Sequence, residues 1–151
     1  TLWEAIALSL ATHFRDPERL TTSGYLNFDG LYGASQEIGP HVYGTAFMLR
    51  HQGLIMPDKR VSASFKGPYF FPAGHIPRSS DRIVIVDTAI GTGRTLESAW
   101  NYLRNTFDVE AVGALVLLDK QESYEERRNI ERVRETLRVP VVALKKLDEL
   151  V

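Results

Sequence analysis

The sequence predicts a single α/β domain built on a mostly parallel central sheet, and three observations support this. At 151 residues the chain has the length of one domain. Its composition, 44% hydrophobic and 25% charged, is ordinary for a protein with a sizeable core and excludes global disorder. Segments with strand patterns alternate with segments of helical spacing, which implies crossover connections between parallel strands.

The composition also excludes several classes of function. The chain has no cysteine, which removes disulfide frameworks, zinc–thiolate clusters and thiolate catalysis. A net charge of -1 argues against broad contact with a phosphate backbone, so no nucleic-acid partner is expected. No apolar run approaches the roughly 20 residues that cross a membrane, and residues 3–14 lack the basic start of a signal peptide. We therefore expect a cytoplasmic protein that binds no membrane.

The first part of the chain predicts a helix followed by a strand. Apolar residues at helical spacing predict an amphipathic helix over residues 2–14, and Pro17 disfavours its continuation. Residues 25–32 alternate in character and contain aromatic residues, which predicts a strand. A glycine-containing loop is then expected over residues 33–40.

The next part predicts a helix, a strand and a long loop. Residues 41–52 have helical spacing, and residues 57–65 are expected to hold a strand. Residues 66–80 are rich in glycine, proline and serine, which is typical of a loop. A loop of this length is usually a lid over a binding site or else disordered, so we interpret it as a flap.

Two buried strands with a helix between them dominate the second half. Residues 82–86 form a short β-branched apolar run that suits a central strand covered on both faces. A loop over residues 87–95 and a helix over residues 95–105 follow. A second buried strand is predicted over residues 110–118.

The C-terminal part predicts a charged helix, a last strand and a closing turn. The helix is expected over residues 122–137, with the strand over residues 139–144 and the turn over residues 147–151. Loops at the carboxyl ends of the parallel strands should meet at the point where the strand order reverses. We therefore expect the ligand site where the loops over residues 33–39, 66–80 and 87–95 come together.

The most informative run covers residues 82–96 and reads RIVIVDTAIGTGRTL. It places an acid, Asp87, at the tip of a buried strand and follows it with a small-residue loop that feeds a helix. The two glycines of residues 91–95 let backbone amides approach an anion, and the two threonines add hydroxyl donors. The amino end of a helix favours a phosphate. The run therefore predicts a phosphate cradle, with Asp87 placed to accept ribose hydroxyls.

Two familiar phosphate motifs do not fit this run. No Gly-Lys-Ser/Thr follows the glycines, so it is not a Walker loop, and Leu96 breaks the dinucleotide Gly-x-Gly-x-x-Gly pattern. The alternative is an ordinary strand-to-helix turn that uses glycine and threonine for capping.

The run resembles the 5-phosphoribosyl-1-pyrophosphate (PRPP) signature of the type I phosphoribosyltransferases. That signature has four apolar strand residues, two acids, an apolar pair and a Thr/Gly-rich loop that holds the ribose 5-phosphate. Residues 83–86 match the strand, Asp87 the first acid, Ala89 and Ile90 the pair, and residues 91–95 the loop. The resemblance implies one Rossmann-like three-layer domain over residues 1–151.

The resemblance extends to other parts of the chain. Residues 29–39 (DGLYGASQEIG) resemble the first strand and pyrophosphate loop of the family. Residues 112–121 (VGALVLLDKQ) and 139–150 resemble the C-terminal half of the orotate phosphoribosyltransferase branch, where Lys120 stands at a position that is often arginine. The orotate phosphoribosyltransferase-like proteins are therefore the nearest branch by resemblance.

Three departures from the family pattern bear on function. Thr88 replaces the second acid, so ribose and metal affinity should fall. In the flap over residues 66–80, Lys66 is the one plausible counterpart of the basic residues of orotate enzymes. The N-terminal hood that recognises the base is reduced or absent, and residues 1–24 are interpreted as its helical remnant.

The resemblance implies transfer of the phosphoribosyl group of PRPP to a nucleobase, an orotate-like pyrimidine being favoured, with release of pyrophosphate. It implies Mg²⁺ bound with PRPP, which Asp87 contacts indirectly, and a homodimer. Asp87 and Lys66 are the expected catalytic residues. The expected phosphate and PRPP contacts are Thr88, Ala89, Ile90, Gly91, Thr92, Gly93, Arg94 and Thr95. The expected pyrophosphate loop consists of Ala34, Ser35, Gln36 and Glu37.

Other interpretations stay open at this point. Thr88 and the thin flap favour a catalytically weak or inactive regulator of the same fold that senses PRPP or a nucleotide. A third reading is a different phosphate-binding α/β enzyme. Arg94 is either a charged phosphate contact or a solvent-exposed arginine at a helix start.

Overall fold

The computed structural model describes residues 1–14, 28–35, 37–51, 60–64, 72–74 and 76–150. The helices are α1 (Leu2–His13), α2 (Gly39–His51), α3 (Arg94–Phe107) and α4 (Asn129–Leu137), followed by a short 3-10 helix (Leu147–Leu150). The strands are β1 (Gly30–Gly33), β2 (Arg60–Ser64), β3 (Pro72–Gly74), β4 (Arg82–Ile90), β5 (Glu110–Asp119), β6 (Ser123–Tyr124), β7 (Arg127–Arg128) and β8 (Val141–Lys146).

The central sheet of the described chain has the strand order β3-β2-β1-β4-β5-β8. Neighbouring strands from β2 to β8 run parallel, and β3 alone pairs antiparallel, with β2 at one edge. β2 and β3 follow β1 on one side of the sheet, and β5 and β8 follow β4 on the other side. The strand order therefore reverses between β1 and β4, where an open α/β sheet binds its ligand.

Two apolar layers cover the two faces of this sheet. Val84 and Val86 of β4 pack on one face with residues of α1 and α2, whereas Ile83 and Ile85 pack on the other with residues of α3 and α4. Successive side chains of a strand point to opposite faces, so a continuous apolar run is what a doubly covered strand needs. The predicted α/β fold with a mostly parallel sheet is confirmed.

The N-terminal helix belongs to the layer that covers the first face. Ile6, Leu10 and Phe14 are buried in the same core as α2. Thr1 caps the helix: its side chain accepts from the amide of Glu4, and the Glu4 carboxylate accepts from the terminal amine. The interpretation of residues 1–24 as a hood remnant stays a prediction. None of the described helices is long and apolar enough to cross a membrane.

Two predicted boundaries along the second half are wrong. β4 continues to Ile90, so residues 87–90 are strand and not loop, because Ala89 and Ile90 pair with Leu118 and Asp119 of β5. The helix predicted over residues 122–137 begins only at Asn129. Before it lies the β6–β7 hairpin, whose turn holds Glu125 and Glu126 at φ 52° and 63°, a conformation that an α-helix excludes.

Smaller differences affect the first half. The first strand begins at Gly30 and includes Gly33, and residues 25–27 lie outside the described part. α2 begins at Gly39, since Pro40 is tolerated in the first turn of a helix. The predicted loop over residues 66–80 contains β3 at Pro72–Gly74, because its backbone pairs with β2. The remaining predicted elements are confirmed to within a few residues.

β8 is an edge strand of the sheet, and a side chain covers part of its open edge. The amide of Ala114 in β5 bonds to the carbonyl of Pro140, so the next carbonyl, that of Val141, faces away from β5. Nε and Nη2 of Arg134 donate to this Val141 carbonyl at 3.0 and 2.8 Å. The exposed Lys145 and Lys146 follow at the end of the strand.

Gly113→Ala in β5 should destabilise the fold, because a Cβ at this position would overlap the ring of Phe14. Phe14 is buried, 6% exposed, so its ring has little room to move. Overpacking of this kind costs about 1–3 kcal/mol of unfolding free energy, which at this chain length lowers Tm by several degrees. Thermal unfolding of Gly113→Ala, alone and with Phe14→Leu, measures the effect. The double variant should recover part of the loss, and a wild-type Tm for the single variant would contradict the contact.

Candidate active site at the strand-order reversal

A cavity of about 460 Å³ lies at the carboxyl ends of β1 and β4. Its lining comes from four segments: the loop after β1, the end of β4, the loop before α3 together with the first turn of that helix, and the residues after β5. The lining residues are Ser35, Glu37, Asp87, Thr88, Ala89, Gly91, Thr92, Thr95, Lys120 and Glu122. Of the three loops expected to meet here, those over residues 33–39 and 87–95 both contribute to the lining. Residues 66–71 and 75 of the third, the flap, lie outside the described residues, and its described residues do not line the cavity.

Asp87 is the most buried acid of the cavity, at 3% exposure. Its Oδ1 accepts from the hydroxyl of Ser35 at 3.0 Å and from the amide of Thr88 at 2.8 Å. Burial raises the pKa of Asp87, and the charge of Glu37 raises it further, while these two hydrogen bonds lower it. Both bonds end on Oδ1, and the Thr88 side chain also bonds to the carboxylate and lowers its pKa. The carboxylate is the buried acceptor that the cavity offers to a hydroxyl group or a hydrated cation.

The loop of residues 91–93 has backbone amides with no partner in the described chain. Its carbonyls, in contrast, are engaged: Nδ2 of Asn129 donates to the carbonyl of Gly91 at 2.8 Å, and Arg132 donates to that of Thr92. The amide of Arg94 bonds to Oγ1 of Thr92 at 3.3 Å. The amides of Gly91, Thr92 and Gly93 therefore remain available to an anion.

The same loop ends at the amino terminus of α3. Gly93 is the N-cap residue, has φ 88°, and leaves the helix without a side-chain cap. The first amides of a helix have no partner within the helix, and its dipole places partial positive charge there. Loop and helix end together form the anion-binding geometry that the sequence predicts.

Among the described residues, Ala34, Ile90 and Arg94 are predicted at the site but do not line the cavity. The amide of Ala34 donates to the carbonyl of Val86 at 2.8 Å, as an extension of the sheet, so it is not available to a pyrophosphate. Ile90 is buried in the core beneath α3, because it belongs to β4. Arg94 lines a neighbouring cavity of about 350 Å³ with Glu97 and Arg132, and its phosphate contact stays a prediction. Gln36 and Lys66 lie outside the described residues.

Two residues that sequence reasoning did not assign to the site line the cavity after β5. Lys120 and Glu122 reach it because β5 lies beside β4 and both strands end at the same edge. The rule that adjacent parallel strands end at the same edge of a sheet is sufficient to predict both residues at the site. The residue pattern, however, predicts a helix at Glu122. Among the described lining residues, Lys120 is the one cation, against the carboxylates of Glu37, Asp87 and Glu122.

The donor set suits a metal that is held largely by its substrate. Within the described ranges no three His, Cys, Asp or Glu side chains come together as a metal cage. Asp87 and Glu37 share the cavity and lie close enough for Glu37 to influence the pKa of Asp87. Mg²⁺ is commonly bound by one or two carboxylates plus substrate phosphates and water. The residues present therefore fit Mg²⁺ bound together with a phosphorylated ligand.

Comparison with known proteins agrees with this geometry. Residues 72–142 match the family model described as the phosphoribosyl transferase domain. The structure is similar to orotate phosphoribosyltransferase of Francisella tularensis, with a TM-score of 0.71, 16% identity, and 99% of this chain and 66% of that chain covered. The fold is that of the type I phosphoribosyltransferases. The fold that the resemblance implies is thereby confirmed.

Two further solved structures are similar to this one. UMP synthase of Leishmania donovani has a TM-score of 0.65 at 18% identity, over 97% of this chain and 27% of that chain. Adenine phosphoribosyltransferase of Leishmania tarentolae has a TM-score of 0.53 at 19% identity, over 97% and 71%. The chain spans less than two thirds of the length of the Francisella tularensis orotate phosphoribosyltransferase and of the Leishmania donovani UMP synthase. No protein of curated function matches its sequence.

Proposed function

We propose that the chain binds PRPP and transfers its phosphoribosyl group to a nucleobase nitrogen, with release of pyrophosphate. The observation that carries this proposal is the loop of residues 91–93, whose free amides stand beside the buried Asp87 at the strand-order reversal. The phosphoribosyltransferase fold and the match over residues 72–142 support it. An orotate phosphoribosyltransferase solved in complex with PRPP has the same fold, at a TM-score of 0.58 and 14% identity.

In this proposal the residues of the chain hold the charged groups of PRPP in place and form no covalent bond with the substrate. The bond from ribose C1 to the pyrophosphate oxygen breaks, pyrophosphate leaves with the electron pair, and the base nitrogen bonds to C1 and loses its proton. The amides and hydroxyls of residues 91–95 hold the 5-phosphate, and Asp87 accepts from a ribose hydroxyl. Fixing the sugar in this way removes much of the entropic part of the barrier.

Mg²⁺ bound with PRPP would neutralise part of the charge on the leaving pyrophosphate. Asp87 and Glu37 are the residues that would hold it, directly or through water. Ser35 fixes the Asp87 carboxylate by its 3.0 Å hydrogen bond, so the acceptor oxygen is already oriented before the ligand binds. The hydroxyl of Thr88, which replaces the second acid of the family pattern, can bond to a ribose hydroxyl but supplies no charge.

Lys120 favours a base that carries negative charge. Its ammonium is the cation among the described residues that line the cavity, and it follows directly after β5. An orotate-like pyrimidine, which bears a carboxylate, would gain an ion pair there. Homodimerisation and a cytoplasmic location stay predictions, the first from the resemblance and the second from the composition.

Pyrophosphate release from PRPP tests the proposal. The protein is incubated with PRPP, Mg²⁺ and, in turn, orotate, uracil, adenine, guanine and hypoxanthine, with parallel reactions in EDTA. We expect Mg²⁺-dependent release with orotate above the base-free rate. If none of the bases supports pyrophosphate release but calorimetry detects PRPP binding, the enzymatic function is overturned and the regulator is favoured. Absence of PRPP binding would overturn both.

A second candidate function, a regulator that binds PRPP without turning it over, is favoured by one observation. Thr88 leaves one acid where the family pattern has two. In the same assay this candidate predicts binding without release.

Glu122→Gln should tighten PRPP binding about threefold to tenfold at low ionic strength. The Glu122 carboxylate lies 3.1 Å from where a Cβ on Gly91 would stand, so it repels a phosphate in the cradle. At a few ångströms in a partly aqueous site, one charge changes the binding free energy by about 1 kcal/mol, and salt weakens this. Calorimetry at two salt concentrations measures the gain. Glu110→Gln, exposed at the opposite end of β5, is the control; an equal gain there would contradict the assignment.

A further inference from the structure

Three residues of α4 contact the loop of residues 91–93, called the phosphate loop below. They lie on the side of the loop opposite its free backbone amides. Asn129 bonds to the carbonyl of Gly91, Arg132 bonds to the carbonyl of Thr92, and a Cβ on Gly93 would overlap Val133. The three α4 residues are spaced i, i+3 and i+4, so they share one face of the helix. This face is therefore in register with three consecutive loop residues.

The two hydrogen bonds fix the direction of the loop amides as well as the loop's position. In a planar trans peptide the carbonyl and the following amide point in opposite directions. Holding the carbonyls of Gly91 and Thr92 toward α4 turns the amides of Thr92 and Gly93 away from it. These are amides that have no partner in the described chain, so α4 sets the direction in which they donate.

The two donors are themselves held in place. The amide of Asn129 bonds to the carbonyl of Glu122 at 2.9 Å, and its side chain is buried, 5% exposed. Nη1 of Arg132 lies 3.4 Å from Oε1 of Glu97 on α3, which spans the gap between the two helices. Neither donor needs to reorganise when a ligand enters the cavity.

Asn129 also carries a cost that a purely structural residue would not need. Its Oδ1 is buried without a hydrogen-bond partner, and such an atom destabilises a fold by about 1–3 kcal/mol. A leucine of similar size would remove this unpaired acceptor and keep the packing, at the cost of the one bond from Nδ2 to the Gly91 carbonyl. The amide at this position is therefore explained by its Nδ2 donor to the loop and not by stability.

We propose that α4 is a template for the phosphate loop, with Asn129 and Arg132 as positioning residues that aim the amides of Thr92 and Gly93 at the ligand. This inference rests on the proposed function, because it names which residues prepare the same site. It assigns a role in phosphate binding to two residues that do not touch the phosphate. It also explains why the loop is ordered around an anion site without a side-chain cap on α3.

Binding by Asn129→Leu, compared with its thermal stability, tests the template. We expect PRPP and inorganic phosphate to bind about tenfold more weakly, while Tm stays close to that of the wild type, because removal of the unpaired Oδ1 offsets the lost bond to the Gly91 carbonyl. The amide signals of Gly91, Thr92 and Gly93 in ¹⁵N-labelled protein should shift before any ligand is added. A merely structural residue would lower Tm and leave these signals and the affinity of the folded protein unchanged.

Two controls separate the outcomes. Glu131→Gln changes an exposed residue of the same helix that does not contact the loop, and should bind as the wild type does. Arg132→Lys keeps the charge but not the reach of the guanidinium, and should show a smaller loss than Arg132→Met. If the wild type binds neither PRPP nor phosphate, the proposed function fails. If it binds and Asn129→Leu binds equally well, the template is overturned and the proposed function stands.

Discussion

Asp87→Asn is expected to lower PRPP-dependent turnover at least about 100-fold, because it removes the charge that the proposed function places against ribose and the metal. The fold should survive, since the bonds from the Ser35 hydroxyl and the Thr88 amide both end on Oδ1 of Asp87 and an asparagine oxygen accepts them equally. Pyrophosphate release under saturating PRPP and Mg²⁺ measures the loss. Glu110→Gln, far from the cavity, is the control. Turnover within a few-fold of the wild type would remove Asp87 from the mechanism.

The same substitution should raise thermal stability at neutral pH. Burial raises the pKa of Asp87 above its ordinary value of 3.8, so the folded state binds this proton more tightly than the unfolded state. Ionised Asp87 therefore destabilises the fold; this penalty is complete above the raised pKa and vanishes as the pH falls to the ordinary value. Asparagine carries no such penalty at any pH.

The difference in Tm between Asp87→Asn and the wild type should thus be positive at pH 7 and shrink as the pH is lowered toward 4. Differential scanning fluorimetry across that range follows it directly. A variant that melts below the wild type at every pH would show that the Asp87 charge is compensated in the fold. We therefore expect the ionised Asp87 carboxylate to lower the stability of the fold while it contributes to ligand binding.

Gly93→Ala is expected to destabilise the protein by about 2–4 kcal/mol and to abolish phosphate binding. Gly93 has φ 88°, which costs a residue with a side chain about 1–2 kcal/mol. Its Cβ would also overlap Cγ2 of Val133, a fully buried residue of α4. Urea unfolding measures the first effect, and calorimetry with phosphate, at a temperature where the variant is folded, measures the second.

Gly91→Ala is the matched comparison in the same loop. Its Cβ would meet Glu122, an exposed and flexible side chain, and Gly91 has no positive φ. We expect less than about 1 kcal/mol of destabilisation there. Val133→Ala combined with Gly93→Ala should recover the steric part of the loss but not the backbone part. Equal stability of the two glycine variants would contradict the strain at Gly93.

The fold was predictable where local pattern and long-range pairing agree. The apolar run of β4 and the spacing of α3 both carry their own signal, so those elements and the parallel sheet follow from the sequence. Residues 87–90 were misassigned because small and polar residues are typical of loops, whereas their pairing with β5 extends the strand. The charged residues before Asn129 favour a helix locally, yet a hairpin turn with positive φ occupies them.

The site divides in the same way. Asp87, Gly91 and Thr92 lie in one contiguous motif, so the sequence alone brought them together. Glu122 and Asn129 come from later elements, and nothing in a single sequence states that their segments pack against that motif. Their places depend on β5 lying beside β4 and on α4 packing against α3.

The bond from Arg134 to the Val141 carbonyl has a consequence for how the protein behaves at high concentration. A strand from another molecule can pair with the open edge of a sheet. An unpaired carbonyl that points outward from the edge strand can accept a hydrogen bond from that strand. Here that acceptor is already filled, and the charges of Lys145 and Lys146 repel a like border. The start of the β8 edge is thereby protected against pairing with a strand of another molecule.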